Sequence, residues 1–100
     1  MSRLRRIALY EEAMTDPDLM AMAEDELIRA CSLKWRELVK ITPWGDEFEG
    51  ISPAGRNVLA ARSYLWAAQE GGDILVEVTV YGGASRYDQG AQVSRRIKKP

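Results

Sequence analysis

The sequence predicts an α+β domain: N-terminal helices packed on an antiparallel β-meander of four to five strands. Two observations carry this. Helical spacing and capping signals gather in residues 1–31, whereas residues 32–100 show mainly period-two alternation broken by short turn motifs. No linker, repeat or low-complexity tract divides the chain, so residues 1–100 read as a single globular domain.

The first segment is ambiguous. Leu4, Ile7, Ala8 and Met14 lie near helical spacing with Ser2 as a possible cap, while Ile7 and Leu9 also alternate with Arg6 and Ala8. Helix is the reading adopted. The second start is clearer. In Thr15-Asp16-Pro17-Asp18 an Asp cap precedes a Pro at the first helical position, where a missing N–H costs nothing. Met20, Ala23, Leu27, Ile28 and Cys31 follow as an apolar stripe, with Glu24, Asp25 and Arg29 on other faces. This predicts a helix over 17–30.

The period then changes. Leu33, Trp35, Val39 and Ile41 alternate with Ser32, Lys34, Arg36 and Lys40, interrupted at Glu37 and Leu38, which predicts a strand. Pro43-Trp44-Gly45-Asp46 carries turn chemistry, and 47–51 can return as a short strand. Residues 57–69 admit two readings. One is a helix, capped from Ser52-Pro53, rich in Ala and closed by Gly71. The other is a strand over 57–66 after a hairpin turn at Ser52-Pro53-Ala54-Gly55-Arg56. The strand is preferred, because Gly55 would fall at a third helical position and Val58, Tyr64 and Trp66 suit a sheet.

Gly71-Gly72-Asp73 turns the chain. Ile74, Val76, Val78 and Val80 then alternate with Leu75, Glu77, Thr79 and Tyr81 as a strand, and Gly82-Gly83 ends it. Residues 84–90 read as a loop. Residues 92–97 read as a last strand whose charges would guard an exposed edge. One sheet face is expected under the helices and the other against water or a partner.

Composition narrows the function classes. Of 100 residues, 46 % are hydrophobic and 29 % charged, which is globular usage and enough for one core. A single cysteine cannot form an internal disulfide. Glu11 and Glu12 interrupt any signal-peptide apolar region, and Leu19–Ala23 is far too short to span a bilayer. A cytoplasmic protein with no membrane contact is expected. The formal net charge of −1 is unevenly spread: Arg3, Arg5 and Arg6 open the chain, seven acids occupy 11–26, and Arg95, Arg96, Lys98 and Lys99 close it.

Catalytic equipment is thin. No histidine is present, which removes the commonest general base and metal ligand. Cys31 stands at a helix end, where the dipole opposes a thiolate, and on the apolar stripe; it reads as structural. Asp46, Glu47 and Glu49 could serve as an acid–base or cation site, but no calcium-loop spacing surrounds them and a solvated strand face fits better. The acids of 11–26 read as solvated helix surface, or less readily as a patch for a basic partner. The Gly71-Gly72 and Gly82-Gly83 pairs lack phosphate-loop spacing. No enzyme activity, cofactor or metal is expected.

Binding remains. Trp44, placed at a turn tip, is either an exposed anchor or a plug folded over the sheet edge. Tyr81, Arg86 and Tyr87 around a Gly-rich loop form a second candidate patch. These support a small accessory, assembly or inhibitor protein that binds another protein or a second copy of itself. The alternative is a nucleic-acid module. It would stack bases on Arg62, Tyr64 and Trp66, which share one strand face, and grip phosphates with Arg95, Arg96, Lys98 and Lys99.

Overall fold

The computed structural model describes residues 16–82 and 90–100. The first expected helix, carried by Leu4, Ile7, Ala8 and Met14, and most of the expected loop over 84–90 lie outside them. Among the described residues, two helices, α1 (Pro17–Ala30) and the single turn α2 (Trp35–Leu38), precede four strands. These are β1 (Trp44–Ile51), β2 (Asn57–Trp66), β3 (Ile74–Tyr81) and β4 (Gly90–Ile97). They form one antiparallel sheet in the order β1-β2-β3-β4, so the expected α+β meander is the observed fold.

Helix α1 begins as the Asp-Pro motif predicts. Asp16 Oδ1 accepts the N–H groups of Asp18 at 2.9 Å and Leu19 at 3.4 Å. The buried stripe is nonetheless rotated from the expected one. Leu19, Met22, Ala23, Glu26, Leu27 and Ala30 are buried, whereas Ile28 is 60 % exposed. The helix lies chiefly over β3 and β4, and Met22 reaches across to Gly50 of β1. Its partner surface is the row Ile74, Val76, Val78 and Val80, all fully buried, with Val58, Ala60 and Tyr64 beside it. Period-two alternation on β3 therefore becomes one dry face and one wetter face.

The strand expected at 33–41 is not one. Trp35–Leu38 is a helical turn that continues as a 3₁₀ turn, Val39–Ile41. Glu37 accepts the N–H of Lys34 at 3.1 Å, and the Leu38 N–H reaches the Lys34 carbonyl at 2.9 Å. The reason is Leu38. A strand would place it on the charged side with Lys34, Arg36 and Lys40, whereas the helical turn buries it completely. Trp35 follows it inward and donates its indole N–H to the Gly72 carbonyl at 2.9 Å.

Trp44, Gly45 and Asp46 belong to β1 and not to the expected turn: Trp44 pairs with Tyr64, and the preceding Thr42–Pro43 peptide is cis. The hairpin reading of 52–56 holds. Ser52 N–H meets the Arg56 carbonyl and Gly55 N–H the Ser52 carbonyl, each at 2.8 Å. Gly55 supplies a positive φ of 86°, a conformation that costs an L-residue about 1–2 kcal/mol. β2 then covers 57–66 as expected, and β4 starts two residues earlier than expected, at Gly90.

Candidate protein-interaction surface

Alternation on the paired strands sorts the candidate residues onto two faces. On the helix side of β1 stand Trp44, Asp46, Phe48 and Gly50. The open side carries Gly45, Glu47, Glu49 and Ile51. On β2, Arg62, Tyr64 and Trp66 share the helix side with Val58 and Ala60.

Trp44 is 50 % exposed, yet it is held in place. Its ring stacks on Tyr64, directly across the strand pair, with centroids 6.1 Å apart and planes within 13°. Tyr64 is itself buried, and burial pushes its phenol above the ordinary value. One rung along, Arg62 grips Asp46 with two hydrogen bonds, Nε–H to Oδ1 at 3.0 Å and Nη2–H to Oδ2 at 2.6 Å. The Asp46 bond raises the Arg62 pKa further and fixes the guanidinium, which lies 5.2 Å over the Phe48 ring. Trp44–Tyr64, Asp46–Arg62 and Phe48 thus form an ordered surface along the start of β1.

The base-stacking platform needs correction. Arg62, Tyr64 and Trp66 do share a face, but it is the face turned toward α1. Tyr64 is 3 % exposed, Trp66 packs against the core, and Arg62 is committed to Asp46. Tyr64, buried and stacked against Trp44, offers no free ring face for a base. The basic residues lie at the opposite edge of the sheet. Arg95 faces the helix side opposite Val76. Arg96 donates to Asp73 at 2.9 Å, and the Lys99 backbone N–H donates to the same carboxylate at 2.9 Å. These bonds hold the Asp73 carboxyl below its usual range. The Lys99 ammonium sits 5.8 Å from the Trp35 ring centre. Lys98 lines a shallow cavity of about 350 Å³ with Lys34, Trp35, Arg36, Ile97 and Pro100.

The second patch separates from the first. Tyr81 lies on the open side of β3, opposite Leu59, on the other face from Trp44. Arg86 and Tyr87 lie outside the described residues. The three carboxylates divide likewise: Glu47 and Glu49 face the open side and Asp46 the helix side. They cannot converge on one ion or substrate. Cys31 caps the C-terminus of α1 half-buried, and burial raises its thiol pKa.

Apolar residues also stand exposed, among them Ile28 of the expected helix stripe. Ile51 is 62 % and Leu65 39 % exposed, both on the open face, and Ile28 projects from α1. Ile51 and Leu65 alternate with the more buried residues of their strands, and the placement of α1 on the other face leaves them open.

Fold and surface together define the class: an α+β domain whose four-stranded antiparallel sheet ends in two edge strands, with an anchored aromatic at the start of one. Comparison with protein-family models, curated proteins and solved structures finds no match to this chain. No helix among the described residues is long and apolar enough to cross a membrane.

Proposed function

We propose that this chain is a small non-enzymatic interaction protein, an accessory, assembly or inhibitor subunit, which binds another protein through the Trp44 end of β1 and the adjoining sheet surface. The observation that carries the reading is the half-exposed Trp44 ring stacked on buried Tyr64. An exposed aromatic already held in one orientation loses little conformational freedom on binding, and such residues dominate interface energetics. The Asp46–Arg62 pair beside it offers oriented polar groups at the rim of the same surface. A sequence without histidine, and carboxylates split between two faces, favour binding over catalysis. The lone Cys31 suits a reducing compartment, so the cytoplasm is the setting proposed with this function.

Affinity capture from the source cells tests the reading. The Trp44→Ala chain should lose captured partners by at least about tenfold relative to the unaltered chain. Trp44→Phe should retain part of the capture, and circular dichroism should report the same fold for all three. Equal capture by Trp44→Ala and the unaltered chain overturns the proposal.

A further inference from the structure

The two edges of the sheet carry opposite charge. β1 holds Asp46, Glu47 and Glu49 and no base, while β4 and residues 98–100 hold Arg95, Arg96, Lys98 and Lys99 and no acid. Charges on an edge strand discourage unwanted pairing, but only against an edge of the same sign. β1 repels a second β1, and β4 repels a second β4. Among the described residues, nothing in the charge pattern keeps β1 from β4.

We propose that copies of this chain associate head to tail, the outer edge of β4 in one copy adding antiparallel to the outer edge of β1 in the next. The proposal rests on the reading of the Trp44 strand as a binding surface and commits that surface to a second copy.

Topology and register fit this pairing. Four strands alternating in direction leave β1 and β4 running oppositely, so a second copy pairs antiparallel without being turned over. Both edge strands are eight residues long. Setting Trp44 opposite Ile97 aligns them along their whole length, ending with Ile51 opposite Gly90. In that register the helix-side residues of β1 meet the helix-side residues of β4, so α1 of each copy stays on the same face. Trp44 then meets Ile97, Asp46 meets Arg95, Phe48 meets Val93 and Gly50 meets Ala91. On the open side Glu47 lies opposite Ser94 and diagonal to Arg96, within reach of a long side chain. A slip of one residue would put every side chain on the wrong face.

The hydrogen-bonding phase agrees as well. Pairing runs in constant register through the sheet, with no bulge among the paired residues. Bonded and non-bonded pairs alternate across each row, so a four-stranded sheet shows matching phases at its two outer edges. Because the two contacting surfaces differ, the contact does not close at a dimer and continues into a ring or an open filament.

Sedimentation velocity on the purified chain tests this, at rising concentration in about 10 mM and about 1 M salt, where the screening length falls from about 30 to about 3 Å. The expected result is a mass that grows past the dimer at low salt and falls at high salt. Two charge-reversed chains sharpen the test: Glu47→Lys/Glu49→Lys on β1, and Arg95→Glu/Lys98→Glu on β4. Each alone should associate at least about tenfold more weakly, since the first makes both edges positive and the second strips the β4 edge of its net positive charge. An equimolar mixture of the two should associate again, and that recovery cannot come from misfolded chains. A monomer at every concentration, an association unchanged by either variant, or a mixture that stays monomeric overturns the proposal. A monomeric chain that still captures a Trp44-dependent partner leaves the proposed function standing. A self-associating chain that captures no other protein supports the head-to-tail contact and removes the need for a foreign partner.

Discussion

Arg56, in the β1–β2 turn, donates its Nε–H to Asp18 Oδ2 in the first turn of α1 at 3.0 Å, across a separation of 38 residues. The same guanidinium reaches Asp16 Oδ2 at 2.8 Å, and Asp18 also accepts the Ser52 hydroxyl and the Ala54 N–H. Asp16 meanwhile caps the helix. Two carboxylates thus start α1 and tie its N-terminus to the hairpin, which fixes where the helix enters the sheet.

Acid should loosen this latch. The Arg56 side chain holds the Asp16 carboxyl below the usual range, and the Ser52 hydroxyl does the same, first among several donors, for Asp18. A carboxyl whose folded pKa is depressed stabilises the fold fully above its unfolded value of about 3.9. The contribution is lost as pH falls through the lower folded value. Thermal unfolding followed by circular dichroism should therefore show Tm dropping below about pH 4. Asp16→Asn/Asp18→Asn should be less stable at pH 7 and show a shallower drop in acid. Parallel curves for the two chains would refute the latch.

Leu38→Ala should destabilise by about 2–5 kcal/mol in urea titration with an unchanged slope, the usual cost of emptying a fully buried leucine site. Leu33→Ala, at an exposed position, should cost less than about 0.5 kcal/mol. A strand at 33–41 would reverse that order, so the pair of variants separates the helical turn from the alternation in the sequence.

Cys31 should react slowly while the chain is folded. Burial raises its thiol pKa more than the nearby Arg95 charge lowers it, so less thiolate is present near neutrality than in a free thiol. Alkylation by iodoacetamide at pH 8 should run slower on the native chain than on the chain in denaturant. Equal rates would show that Cys31 is exposed and unperturbed.

Local signals account for what the sequence made legible. Asp16-Pro17 marked the start of α1, Gly55 decided between hairpin and helix for 52–66, and the Val-rich alternation of 74–81 announced β3. The failures share a different cause. Residues 35–41 satisfy both a two-residue and a three-to-four-residue period, and burial of Leu38 against the rest of the fold selects the second. The stripe of α1 was misplaced because neighbouring apolar residues admit more than one face. Contact with the sheet turned Glu26 inward to pair with Arg29 at 2.9 Å and left Ile28 in solvent. For the candidate site, Trp44 was visible as an aromatic, but its strand position and its stack on Tyr64 were not, since the Tyr lies across a pairing register.

Residue order alone is enough for the α+β class, the three strands over 47–51, 57–66 and 74–81 in outline, and the sharing of one face by Arg62, Tyr64 and Trp66. Each of these follows from periodicity and turn chemistry within a few residues. Which face α1 covers was settled by long-range packing. It thereby enclosed Tyr64 and left Trp44 half in solvent. Alternation tells which side chains point the same way, and only long-range packing tells which way is inward.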